Sequence, residues 1–131
     1  MNYITSEQYD ELLEILENGW ADEEEVVYAL VEFVQDYETA KSVLLQDRIF
    51  NRYTCDINSW TDLAWSILLD EAFEDELNDP YFVNLRANIN NEEALKEILI
   101  KDNWAISSDY SVAIGFDDSV KVVCHEVNRD E

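Results

Sequence analysis

The amino-acid sequence predicts an α+β fold: an N-terminal three-helix bundle followed by a small antiparallel sheet with packed helices. Three observations carry this expectation. Apolar residues recur at three- and four-residue spacing over residues 1–45, the period of helices with one buried face. The spacing turns to alternation, with β-branched and aromatic residues, at residues 48–55 and again beyond residue 104, as half-buried strands require. Finally, 131 residues with 47% apolar side chains can enclose a proper interior, as one domain or two small units sharing a core. The composition shift divides the chain into an acidic bundle over residues 1–47 and an α/β part over 48–131, and it also allows one continuous unit.

Each element follows in order. Thr5 or Ser6 caps a first helix that runs to about Asn18, where Gly19 is the stop signal. Tyr9, Leu12, Leu13 and Leu16 share its apolar face. Asp22 caps a second helix with Glu23, Glu24 and Glu25 in its first turn, where carboxylates favour the helix dipole. Val26, Val27, Leu30, Val31 and Val34 form its buried stripe. A short third helix from about Glu38 to Gln46 contributes Ala40, Val43 and Leu44, completing the bundle. Arg48 to Cys55 is a strand, and Ser59-Trp60-Thr61-Asp62 has the pattern of a capping box opening a helix to about Glu71. That helix is apolar on two sides, with Trp60, Leu63, Ala64 and Ile67 on one and Trp65 and Leu69 on the other. An acidic connection from Asp70 to Asp79 ends at Pro80, Tyr81 to Leu85 makes a short helical turn, and Asn91 caps a helix to about Ile100. Trp104–Ser107, Tyr110–Phe116 and Ser119–Val127 are antiparallel strands, the last two joined through Asp117-Asp118.

Charge sets the functional classes. Thirty-one Asp and Glu face eight Lys and Arg, a formal net charge of −23. Such a surface repels phosphate backbones and anionic lipid headgroups, which excludes nucleic acid and membrane surfaces as direct partners. No apolar run is long enough to span a bilayer and no basic segment precedes a hydrophobic one, so the expectation is a soluble chain without a signal peptide. Cys55 and Cys124 lack CxxC spacing. They point to neither a disulfide scaffold nor a zinc site, and to a reducing cytoplasm. The acids are not interspersed with bases: twelve lie before Lys41, the first base of the chain. Solubility alone needs no such concentration, because self-repulsion costs folding free energy.

Catalytic patterns are missing. The only histidine, His125, adjoins Cys124 on an expected strand, where neighbours point to opposite faces. Two glycines cannot build a phosphate-cradling loop. Asp70–Asp79 has the carboxylate density of a calcium loop but neither its glycine nor its spacing. The sequence therefore selects no acid–base pair, metal or cofactor, and the expected protein is not an enzyme.

What remains is carboxylates in rows: Glu7, Glu11, Glu14 and Glu17 on the first helix, and Glu25, Glu32 and Asp36 on the second. Asp70, Glu71, Glu74, Asp75 and Glu76 extend the negative track. Successive members of a helix row lie about 4.5–6 Å apart, against about 3.4 Å between phosphates along one DNA strand. Two neighbouring helices together approach the phosphate density. Carboxylates so held can occupy the lysine and arginine sites of a protein that grips DNA.

The order of pieces also resembles the ArdA-type antirestriction proteins. The resemblance rests on Ala40 to Leu44, the strand Arg48-Ile49-Phe50-Asn51-Arg52-Tyr53, the run Ser59-Trp60-Thr61-Asp62-Leu63-Ala64-Trp65-Ser66-Ile67-Leu68, then Pro80-Tyr81-Phe82, and Asn103-Trp104-Ala105-Ile106-Ser107 before Tyr110–Phe116. It covers about residues 5–116 and is similar to the family's middle and C-terminal domains only. Arg86-Ala87-Asn88-Ile89 stands where the family has an aromatic-Gly-Arg-Asp segment, and Val120–Val127 adds a strand. The resemblance implies mimicry of bent B-form DNA, a type I restriction–modification enzyme as target, and dimers formed through the C-terminal domain.

Together these features point to a non-enzymatic DNA mimic that blocks the DNA-binding site of a host defence enzyme, type I restriction–modification above all, with a CRISPR effector as a related target. The alternative is an immunity or antitoxin-type protein that neutralises a basic toxin or nuclease through a specific interface, in which a few buried contacts dominate. The sequence leaves open whether Trp65 and Leu69 are buried within the monomer or meet a second copy.

Overall fold

The computed structural model describes residues 3–16, 23–54, 57–70 and 79–127. Its elements are α1 (Ser6–Ile15), α2 (Glu23–Val34), α3 (Tyr37–Leu45), β1 (Ile49–Tyr53), α4 (Trp60–Leu69), α5 (Pro80–Ala87), α6 (Glu92–Lys101), β2 (Trp104–Ser107), β3 (Val112–Phe116) and β4 (Glu126–Val127). The α+β class holds, with three N-terminal helices preceding a four-stranded sheet of order β1-β3-β2-β4.

Local signals fix the helix starts. Thr5 caps α1 in a complete capping box with Gln8. Ser59 caps α4 by accepting the Asp62 N–H, while the Asp62 carboxylate takes the N–H of Asn58 rather than that of Ser59. Asn91 caps α6. α1 stops at Ile15 with Leu16 as its cap, short of Asn18, and the expected stop at Gly19 and cap at Asp22 lie outside the described residues. The expected short turn after Pro80 is a full eight-residue helix, because Asp79 caps it and Pro80 occupies its first turn, where a missing N–H costs nothing. Gln35, Asp47 and Asn103 leave α2, α3 and α6 through left-handed backbone, with φ of 53°, 52° and 62°. Most chains place glycine there.

The sheet lies between two helical layers. Alternate residues of a strand face opposite sides. Ala105, Val112, Ile114 and Phe116 accordingly join the core of α1–α3, and Trp104, Ile106 and Ala113 join that of α4–α6. Burial on both sides makes β2 and β3 continuous apolar runs. α2 lies on the sheet with Val26, Val27, Ala29, Leu30, Val31 and Phe33 fully buried, and α1 and α3 flank it. The helices of residues 1–47 thus complete their core against strands of residues 48–131.

One expectation needs correction. Residues 119–127 do not form an antiparallel strand after β3; only Glu126–Val127 is a strand, and it pairs parallel to β2. β3 is already flanked by β1 and β2, so the returning chain has no free edge of β3 to join. It crosses instead to the outer edge of β2. On the way the Val123 and Cys124 N–H groups donate to the Phe33 carbonyl, at 2.8 and 3.0 Å, at the end of α2. The sheet is therefore mixed rather than purely antiparallel.

Candidate partner-binding surface

With α2 seated on the sheet, solvent reaches the side of that helix carrying Glu24, Glu25, Tyr28 and Glu32. On α1 the face opposite Leu12 carries Glu7, Asp10, Glu11 and Glu14, all exposed, and Asp36 and Glu38 are exposed at the start of α3. Over residues 3–47 the only base is Lys41. Its ammonium is held by Glu11 at 3.5 Å and lies 5.7 Å from the centre of the Tyr37 ring. The Tyr37 hydroxyl also donates to Glu11. Lys41 thereby matches one carboxylate of the layer, Glu11, and on the other side of the sheet Lys96 pairs with Glu126 at 3.4 Å.

The sequence-predicted residues fall into three groups. Glu7, Glu14 and Glu25 stand exposed on the outer helical layer. Glu11, Glu32, Asp36 and Asp70 are more constrained. Glu11 forms the seam to α3. Glu32 is half-buried. Asp36 caps α3, and acceptance of the Thr39 hydroxyl at 2.7 Å and N–H at 2.9 Å holds its carboxyl below the usual carboxylate range. Asp70 is half-buried and accepts from the Tyr53 hydroxyl at 2.7 Å and from Asn51 at 3.4 Å. Burial, and then Asp70, push the Tyr53 phenol well above its ordinary value. Asp70 thus locks the end of α4 to β1 instead of leading a solvent-facing row. The last group, Glu17, Glu71, Glu74, Asp75 and Glu76, lies outside the described residues.

The apolar candidates are placed clearly. Trp60, Leu63, Ala64 and Ile67 are buried against the sheet side, whereas Trp65 and Leu69 are 47% and 75% exposed. The second side of α4 is therefore not taken up inside the monomer. Three further features escaped the sequence. Glu126 of β4 accepts from the Trp60 indole and Lys96, tying the last strand to α4 and α6. Tyr9, Tyr28 and Tyr110 stack across α1, α2 and the β2–β3 turn, with ring centres 4.6 and 5.6 Å apart. Asp102, Asp117 and Asp118 gather beside Phe50 at one end of the sheet. Each depends on pairs distant in sequence, which periodicity does not report.

Cys124 and His125 precede β4 rather than lying on a strand, and they engage different groups. The thiol lies 3.1 Å from the Glu126 carbonyl, and His125 Nδ1 lies 2.9 Å from the Trp104 carbonyl. Among the described residues no group of His, Cys, Asp and Glu could hold a metal ion, and no helix is long and apolar enough to cross a membrane. Comparisons of the chain with protein-family models, curated proteins and solved structures give no match.

Proposed function

We propose that the protein is a non-enzymatic mimic of duplex DNA that occupies the DNA-binding cleft of a host defence enzyme, with a type I restriction–modification enzyme as the first target and a CRISPR effector as the second. The observation that carries this is the outer layer formed by α1, α2 and α3. It exposes Glu7, Asp10, Glu14, Glu24, Glu25, Asp36 and Glu38, while its one base is already engaged by Glu11. Like charges held on one layer repel, and a basic cleft removes that repulsion while the condensed counterions of both surfaces are released. The mechanism needs no bond to be made or broken: it needs carboxylates fixed on rigid helices, and α2 is fixed by its contact with the sheet. The family resemblance of the sequence supports the choice of target.

The test is competition. Added to a purified type I restriction enzyme bound to labelled duplex at low salt, the protein displaces the DNA, and raising the salt abolishes the displacement. Retention of the duplex by that enzyme and by CRISPR effectors alike overturns the proposal. Exposed Trp65 and Leu69 favour a second reading, an immunity-type inhibitor of a basic toxin. In that case Trp65→Ala alone removes binding and salt has little effect.

A further inference from the structure

The feature outside the acidic helical layer that asks for a ligand starts from an aromatic ring. The register of β1 against β3 shifts between Ile49 and Asn51, so Phe50 is the extra residue of a bulge, a device that re-aims a side chain at a sheet edge. Its ring lies edge-on to Trp104, with centres 5.2 Å apart, yet stays 48% exposed. The tip of the ring rests on Gly115, where an added Cβ would meet ring carbon Cζ at 2.6 Å. Only a residue without a side chain leaves this seat for Phe50.

The ring borders a shallow surface hollow of about 350 Å³, open to solvent and lined by Phe50, Phe116, Asp102, Asp117 and Asp118. That is room for a whole side chain, since one water occupies about 30 Å³. No base lines it. Burial first, and then the charge of Asp118, hold the Asp102 carboxyl above its usual range, so a cation entering here relieves a repulsion. A metal ion is not the cation that fits here, because among the described residues no set of three or more His, Cys, Asp or Glu side chains could hold one. The complement is a broader cation that lies against an aromatic face and bonds outward to a rim. A guanidinium does both, whereas an ammonium is compact and strongly hydrated. The chain already combines a cation, a carboxylate and a ring at Lys41, Glu11 and Tyr37.

We propose that this hollow receives an arginine side chain of the basic partner, with Phe50 as the stacking face and Asp102, Asp117 and Asp118 as the anionic rim. The proposal rests on the mimic reading above and adds to it a site that tells arginine from lysine.

The experiment titrates oligo-arginine and oligo-lysine peptides of equal length into the full chain at low salt by calorimetry. It compares the protein with Phe50→Leu and Phe50→Trp, and checks the fold of each by circular dichroism. The arginine peptide binds about five- to tenfold more tightly than the lysine peptide. Phe50→Leu reduces that preference to less than about twofold and Phe50→Trp keeps it. If the two peptides bind the unaltered protein equally, or if the preference survives Phe50→Leu, the hollow is not the arginine site, even where steep salt dependence upholds the mimic. If neither peptide binds at low salt, both proposals fall.

Discussion

Replacing Lys41 by Gln removes the one base of the outer helical layer, and its effects on folding and on binding have opposite signs. The ammonium is 3.5 Å from Glu11, with the two side chains 34% and 48% exposed. At that separation the attraction in water is about 1 kcal/mol, and exposed pairs retain about 0.2–1 kcal/mol after side-chain ordering. The Tyr37 ring at 5.7 Å adds about 0.5–1 kcal/mol. The substitution therefore lowers stability by about 1 kcal/mol, a fall in Tm of about 3–6 °C in a chain of this size. For a mimic it also leaves Glu11 without a base, its bond from the Tyr37 hydroxyl remaining, and makes the net charge one unit more negative than −23. A partner base about 7 Å from the added charge gains about 0.6 kcal/mol, close to threefold in affinity. Thermal melting and a binding titration at low salt read the two effects. Affinity that falls with the stability, or fails to rise at low salt, refutes the reasoning.

The left-handed helix exits make a second test. Gln35→Gly and Asp47→Gly each stabilise by about 0.5–1 kcal/mol in denaturant unfolding, because a side chain at positive φ is strained and glycine is not. Asn103→Gly destabilises despite the same backbone geometry, because the Asn103 amide donates to the Asp117 and Val120 carbonyls, both at 3.0 Å. Asp102 gives a pH test. Its carboxyl is raised by burial and by Asp118, so the folded chain binds more protons than the unfolded one just above the ordinary carboxylate range, and stability falls as pH rises through that window. Urea midpoints measured across it are flatter in Asp102→Asn than in the unaltered protein. Equal slopes contradict the assignment.

The helix starts were legible because a cap is a local event: Thr5 with Gln8, Ser59 with Asp62, and Asn91 each act within one turn. The buried stripe of α2 was legible from periodicity, but its full extent was not, because Ala29 and Phe33 are buried where the helix meets the sheet. The end of the chain was misread for a topological reason. Val120, Val122 and Cys124 alternate as a strand would, but a strand needs a partner edge, and β1, more than sixty residues earlier, occupies the edge of β3 not held by β2. The same limit applies to the surface. Outward rows such as Glu7 and Glu14 follow from a helical wheel. The capture of Glu11 by Tyr37 and Lys41, 26 and 30 residues away, does not. Nor does the use of Asp70 as an anchor for Tyr53. The bulge that presents Phe50 has no sequence signature, and Gly115 was the only hint of a close approach there.

The central claim, that exposed carboxylates on α1 and α2 stand in for phosphates, is tested most directly by the salt dependence of binding to the DNA-cleaving target. For the unaltered protein the logarithm of the affinity falls steeply and linearly with the logarithm of salt concentration. In the triple variant Glu7→Gln, Glu14→Gln and Glu25→Gln, that slope shrinks by about two to three, close to one per charge removed. A shallow slope that the triple variant leaves unchanged contradicts the account.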